Sequence, residues 1–414
     1  MRLLVLTHSF PPSRYSNAKR PYYLVKGFLD AGWEVDVFTS KLGMPEGEPE
    51  LPAVQGVHVF RRDAIIDRLM RKAKGYDLLS RLTLYGITGL VWPDGFAWWS
   101  TRTLRAIRKQ SPYDRVLAFI VPASLLLSGL FRDMAGPRWT FDYQESVTPH
   151  YRRQLRRSPL HRALLPLLNK LERHTLHKAG RVVFTADTNR QTYIREGLVP
   201  RATTVHVPYF YDAEVFLEPA TVSAGFEIAY FGTFDFRGAR SPETFLRALG
   251  RFLEKHPEAR ARTRFVFHGS WLSEHTRFVQ DLRLKDVVSI YPAVPYQDYL
   301  QKVKGSPVLL LVVASVHNLF MPSKIVDYFG SRRPILAFVP PDSEMRRVLE
   351  QAGMADFACD EFNVEAGAAA IEKLWRRYLS NNLAASAEKT RFWSSEVQVP
   401  RYLGLVQELA TPAA

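Results

Sequence analysis

"LLVLTHSFPPSRYSNAKRPYYLVKGFLDAGWEVDVFTS" (3–40) reads as strand, loop, helix and strand. Residues 3–6 form an uninterrupted apolar run, the pattern of a parallel strand covered on both faces. A polar loop from His8 to Asn17 leads into a helical pattern that Gly32 should stop, and "EVDVFTS" (34–40) returns as the next strand. "VLAFIV", "RWTFDY", "GRVVFTA" and "TTVHVPY" repeat the theme, with helical patterns between several of them. This alternation predicts an α/β fold with a doubly wound parallel sheet.

A second series starts near residue 226 with "FEIAYFG" and continues through "TRFVFHG", "VVSIYPA", "PVLLLVVA" and "PILAFVP". Its first helix has Ser241 as N-cap, Pro242 at the first helical position and Glu243 in the first turn. Phe245, Leu246, Leu249, Phe252 and Leu253 form the buried stripe of that helix. At 414 residues the chain exceeds the size of a single core. The expected layout is a first domain over 1–212, a linker over 213–225 and a second domain over 226–385. A helical segment, 386–414, should cross back to the first domain.

The hydrophobic share of 46% and charged share of 23% fit a folded globular protein. One cysteine, Cys359, excludes a disulfide framework and a cysteine-cluster metal site, and the eleven histidines lack metal-ligand spacing. "MRLLVLTHSF" is too short an apolar stretch for a signal peptide. The run 116–131 is shorter than the ~20 residues a bilayer requires and contains Pro122, so it reads as a buried strand, a turn and a buried helix. These features lead to the expectation of a cytoplasmic protein. Residues 152–181 carry nine Arg or Lys against one acid, Glu172, within a chain of net charge +15. Their leucines, among them Leu155, Leu160, Leu164, Leu165, Leu167, Leu168 and Leu171, make either a basic helix lying on an anionic membrane face or a core-facing stripe with a solvated basic side. Basic and aromatic residues do not alternate as in a nucleic-acid module, so nucleic acid is not an expected partner.

The first strand–helix turn has no G-x-G-x-x-G, since no glycine precedes Gly27, and the chain lacks G-x-x-x-x-G-K-[ST], G-x-S-x-G and H-E-x-x-H. What remains is "MPSKIVDYFGSRRPILAF" (321–338). Ser323 can cap a short helix ending at Gly330 as a left-handed stop, with Lys324 and Asp327 on one face. Taken alone the pair is also what a surface ion pair looks like, with Arg332 and Arg333 as solvated loop charges. Its place after the strand "LLLVVA" is where open α/β sheets bind ligands, so a cation and an acid there can serve a diphosphate and a ribose hydroxyl. In "YFGTFDFRGAR" (230–240), Gly232 permits close backbone approach and Arg237 and Arg240 can meet phosphate oxygens beside the helix opening at Ser241. Asp142 and Glu145 in "FDYQES" (141–146) are either cap and turn residues or carboxylates of a site.

In order along the chain, "VLTHSFPPS", "LVKGFLDAGWEVDVFTS", "VPYFYDAEVF", "IAYFGTF" and "MPSKIVDYFGSRRPILA" resemble the signature stretches of bacterial family 4 glycosyltransferases. The resemblance implies the GT-B fold, two Rossmann-like domains facing a central cleft. It further implies retaining transfer from a nucleotide-diphosphate sugar, UDP- or GDP-linked, to a saccharide or polyprenyl-linked acceptor, without a metal or other cofactor. The process would be cell-surface polysaccharide or glycolipid synthesis on the inner membrane face. Carried over by motif, Gly232, Thr233, Arg237, Arg240, Ser323, Lys324, Ile325 and Asp327 would bind the donor. Ser16, Asn17, Arg20, Asp142, Glu145 and Asn318 would serve the acceptor and the chemistry. Relatives often carry a glutamate eight positions before Asp327; here Leu319 stands there, leaving its role vacant or taken by a residue such as Asn318 or His317. The alternatives are an epimerase or hydrolase of nucleotide sugars on the same plan, and a catalytically inactive sugar-nucleotide-binding subunit.

Overall fold

The computed structural model describes residues 1–13, 16–41, 51–64, 92–108, 113–131, 134–153, 162–234, 240–315, 318–383 and 387–409. They form two compact units, Met1–Pro208 with Gln398–Ala414, and Tyr209–Val397.

The first unit is built on a seven-stranded sheet. Its strands are β1 (Arg2–Leu6), β2 (Glu34–Ser40), β3 (Val57–Arg62), β4 (Arg115–Ile120), β5 (Trp139–Tyr143), β6 (Arg181–Phe184) and β7 (Thr204–His206). Every pairing is parallel, in the order β3-β2-β1-β4-β5-β6-β7. The order reverses between β1 and β4, so the loops leaving their carboxyl ends part there and open a crevice. Leu3 to Leu6 are fully buried, as a strand covered on both faces requires. The helix Lys19–Asp30 follows, and Gly32, at φ +79°, stops it as expected. The apolar run resolves into β4 and a 3₁₀ helix, Ala123–Leu130. Among the described residues no helix is long and apolar enough to cross a membrane.

Two polar anchors hold this unit together. Arg115 donates to the carbonyls of Val406, Gln407 and Leu409 at 3.0, 3.2 and 2.6 Å, satisfying orphan acceptors at the end of helix Ser395–Gln407. The same helix packs so closely on Gly27 that a Cβ there would lie 2.4 Å from Val399. The second anchor is Arg20 with Asp142, at 2.9–3.1 Å, and both are almost fully buried. Arg20 also donates to the carbonyls of Pro208 and Val207, and the Tyr402 hydroxyl donates to Asp142 at 2.9 Å. Arg20 and Asp142, expected at the acceptor, are thus engaged with each other inside the unit.

The basic segment is also partly a core element. In helix Leu165–Lys178, Leu168, Leu171 and Leu176 face the core, while Leu167 stays exposed. Its acid, Glu172, is fully buried and accepts from the Tyr143 and Tyr193 hydroxyls at 2.9 and 2.7 Å and from the Thr148 amide. Burial raises its pKa. Arg173 and Lys178 donate to the carbonyls of Gly197 and Gly129. Leu155 and Leu160 lie outside the described residues.

The second unit has six parallel strands in the order β10-β9-β8-β11-β12-β13. They are β8 (Phe226–Thr233), β9 (Thr263–Ser270), β10 (Val288–Tyr291), β11 (Val308–Val312), β12 (Ile335–Phe338) and β13 (Ala358–Cys359). The order reverses between β8 and β11. Helix Glu243–Lys255 buries the five expected residues of its stripe. It begins one residue later than expected, with the Ser241 hydroxyl accepting from the Glu243 amide at 3.1 Å.

The boundary differs from the expected one. It falls between Pro208 and Tyr209, and 213–225 is a packed strap of the second unit. Lys304 donates to the carbonyls of Val215 and Glu218, and the Ser223 amide donates to Gly305. The expected return segment divides too. Trp393 packs on Phe329 in the second unit, whereas residues from Gln398 onward belong to the first.

Replacing Asp142 with Ala strands the Arg20 guanidinium in the core, a change that costs about 3–5 kcal/mol. Urea unfolding should show a loss of that size. A loss under about 1 kcal/mol, the range of exposed pairs, would show that the pair does not hold the unit.

Candidate functional site

In the second unit, β8 ends in Gly232 and Thr233, both exposed. Gly232 pairs with Gly269 of β9, and the two have φ of +137° and +148°. A Cβ on Gly269 would lie 1.8 Å from the Gly232 carbonyl, so glycine is required for this approach. Across the reversal, helix Lys324–Ser331 follows β11 and turns its first residue toward β8. The Lys324 ammonium donates to the Phe231 carbonyl at 3.2 Å and lies 3.8 Å from the centre of the Tyr230 ring. A Cβ on Gly232 would come within 3.7 Å of that ammonium, so the glycine leaves its approach open. Loss of hydration lowers the Lys324 pKa to about 7, and the positive charge of Arg240 adds to the shift. Arg240, which precedes the amino end of helix Glu243–Lys255, is thus close enough for its charge to reach Lys324. Two cations and a helix amino terminus beside an exposed glycine suit a dense anion.

Asp327 is buried and accepts from the Tyr299 hydroxyl at 3.0 Å. This differs from the surface ion-pair alternative, since neither the acid nor the amine is on open surface. Ile325 is fully buried, and its amide donates to the Pro322 carbonyl. Ser323 has helical backbone and makes no side-chain cap. Gly330 is not the left-handed stop; Arg332 is, at φ +57°. Gly330 is instead a contact point, since a Cβ there would lie 2.5 Å from the Phe216 ring. Arg333, expected to be solvated, is partly buried and donates to the Lys304 carbonyl at 3.0 Å. Burial lowers its pKa.

Leu319 is buried and cannot present itself to a ligand. The Asn318 carbonyl accepts from the Glu344 amide. Glu361, which the sequence reading passed over, binds the Ser315 amide and hydroxyl just beyond β11, and burial raises its pKa. Arg237 and His317 lie outside the described residues.

In the first unit the loops after β1, β4 and β5 hold the polar groups. His8, missed as a site residue although it follows β1, is almost fully buried. Its Nε2 lies 2.8 Å from the Asn17 amide nitrogen, and Phe96 meets the ring edge-on at 5.4 Å. Burial lowers its pKa to about 4, against the pull of the Val121 backbone. Ser16 begins the 3₁₀ turn that carries Asn17. Asp94, also missed, accepts from the amides of Phe96 and Ser124 at 2.9 Å each, and burial raises its pKa. Glu145 stands in a loop whose neighbours are buried; solvent reaches it, yet the surrounding protein removes enough hydration to raise its pKa. No group of three or more metal-ligating side chains occurs among the described residues.

Two doubly wound parallel sheets, one in each unit, are the arrangement of the GT-B fold. Sucrose-phosphate synthase from Thermosynechococcus elongatus has this fold, with TM-score 0.66 at 16% identity over 99% of this chain and 98% of that one. An E. coli trehalose-6-phosphate structure bound with UDP-2-fluoro glucose matches at TM-score 0.63 and 10% identity, over 99% and 100%. A glycosyltransferase from Rickettsia africae matches at 0.56 and 10%, over 100% and 99%. No curated protein matches the sequence. Residues 18–209 match the family model of the glycosyl transferase 4-like domain. The chain thus has the GT-B fold, and residues 18–209 in its first unit are similar to the glycosyl transferase 4-like domain.

The Lys324 pKa gives a pH-dependent test. It falls from 10.5 to about 7 on folding, so between those values the unfolded chain binds more protons and stability rises with pH. Lys324→Met should raise the melting temperature most below pH 7, with the gain fading toward pH 10. A gain that does not change with pH would contradict a desolvated amine.

Proposed function

We propose that the chain transfers a sugar with retention from a nucleotide-diphosphate sugar, UDP- or GDP-linked, to a saccharide or lipid-linked acceptor, in the making of a cell-surface polysaccharide or glycolipid. The observation that carries this is the Lys324 ammonium, held on the Phe231 carbonyl within reach of Gly232 and close enough to Arg240 for that charge to be felt. In the reaction the bond from the sugar C1 to the diphosphate oxygen breaks and a bond to the acceptor oxygen forms. The acceptor proton passes to a basic oxygen in the site. Negative charge grows on the leaving diphosphate, and cations already fixed there stabilise it without reorganising, in place of a metal. A desolvated amine gains most from this role, since an anion restores the charge interactions that burial removed. Asp327, steadied by Tyr299, is the proposed ribose ligand. Glu145, open to solvent at the carboxyl end of β5, is the proposed acceptor-side group. Residues 152–181 are the proposed membrane contact, with the exposed Leu167 as their apolar component.

Leu319 favours a second reading, a subunit that binds the donor without turning it over, because the buried leucine offers no carboxylate. Thermal-shift assays with UDP-, GDP- and dTDP-sugars should show one nucleotide raising the melting temperature in the wild type and not in Lys324→Ala. Lys324→Ala should also lose at least ~10²-fold in transfer while remaining folded, the scale of removing one preorganised charge-stabilising group. Full transfer by the variant would overturn the role of Lys324; donor binding without transfer across an acceptor panel would establish the second reading.

A further inference from the structure

The second sheet carries a groove that the donor reading does not use. It has a volume of about 600 Å³ and runs along one face of β8 and β9, from Glu227 to Phe231 on the first and from Val266 to His268 on the second. One wall is helix Tyr296–Gly305 through Gln301 and Lys302; the strap contributes Thr221, Val222 and Ser223.

Its two ends differ in chemistry. At the carboxyl end of the strands, Phe231, His268 and Tyr291 form a continuous row. Phe231 and His268 stack at 5.3 Å with a 2° angle, and His268 and Tyr291 at 5.1 Å with a 22° angle. Tyr291, the end of the row, is 48% exposed. At the other end Glu227 accepts from the Ser306 hydroxyl at 3.3 Å. Burial raises its pKa, and Ser306, Lys302 and Ser223 act in the opposite direction. Glu227 and Lys302 are the charged groups of the lining and offset each other, so the groove holds no surplus charge for a phosphate.

His268 carries the decisive detail. It is 7% exposed, and its Nδ1 has no hydrogen-bond partner among the described residues. Burial lowers its pKa, the Lys302 charge lowers it further and the Pro292 backbone opposes both. The ring is therefore neutral at pH 7. An unpaired buried ring nitrogen costs free energy unless a ligand pairs it, and a neutral nitrogen pairs with a hydroxyl. The exposed tyrosine ring that ends the stack, a carboxylate, seryl hydroxyls and an amide suit a ring with an apolar face and hydroxyl edges.

We propose that this groove is a second binding site, for an uncharged hydroxylated ring of a saccharide. It also touches the candidate donor site. The Phe231 carbonyl holds the Lys324 ammonium, and the Phe231 ring meets Tyr299 edge-on at 5.2 Å, whose hydroxyl binds Asp327. A saccharide in the groove therefore packs against the residue that positions both donor groups.

The test is saturation-transfer NMR on the full chain with the methyl glycosides of glucose, galactose, mannose and N-acetylglucosamine. At least one should receive saturation. Tyr291→Ala, an exposed position, should weaken its binding by about tenfold with an unchanged urea midpoint. Lys324→Ala should retain the saccharide signal, and UDP should not displace it. This separates the groove from the donor reading, which fails or stands on nucleotide binding. The proposal is overturned if none of the four glycosides binds, if Tyr291→Ala binds as tightly as the wild type, or if UDP or inorganic phosphate displaces the sugar.

Discussion

Lys324 holds its ammonium between the Phe231 carbonyl, 3.2 Å away, and the Tyr230 ring, and the neighbouring elements are arranged around that placement. A half-hydrated amine is expensive to bury, and the protein positions it where two strands separate. Gly232 and Gly269 let β8 and β9 close together beneath it, and the absent side chain at 232 leaves the ammonium reachable. Helix Lys324–Ser331 is anchored on its far side by Ile325, Val326, Tyr328 and Phe329, all buried, so its first residue has little freedom to withdraw. Packing on one side of a short helix thus sets the chemistry of the other.

The first unit solves a different problem with the same physics. It fully buries two carboxylates and supplies each with partners. Asp142 takes Arg20 and Tyr402; Glu172 takes two tyrosines and a backbone amide. Both networks join segments far apart in sequence, which makes them means of assembly. Glu172 further ties helix Leu165–Lys178 to the loop after β5, where Glu145 stands. Order in that loop therefore depends on a buried acid in a segment otherwise dominated by bases.

Much of the architecture was legible in the sequence because it depends on local pattern. Apolar runs of four to six residues became buried parallel strands, and the stripe from Phe245 to Leu253 became the buried face of its helix. The helix start at Lys324 after β11 was legible for a related reason, since strand ends and helix starts are marked locally. Long-range contacts were not. Arg20 and Asp142 are 122 residues apart and read as site residues until they are seen to neutralise each other. Residues 213–225 have the composition of a linker, yet the Lys304 ammonium and the Gly305 carbonyl turn them into a packed strap. Gly330 obeys the local rule for a helix stop, but the Phe216 ring decides its role. His8 lies in a quoted stretch without being singled out, and Asp94 gains its place only through the fold, which brings the turn before helix Ala97–Ile107 against the loop after β4.

The central claim is that the second unit's cationic corner receives the diphosphate of a nucleotide sugar. A crystal structure of the chain with its preferred nucleoside diphosphate tests it most directly. The account predicts phosphate oxygens within hydrogen-bond distance of Lys324 Nζ and the Arg240 guanidinium, above the backbone of Gly232. A nucleotide bound elsewhere, with Lys324 still turned to the Phe231 carbonyl and touching no phosphate, would contradict it.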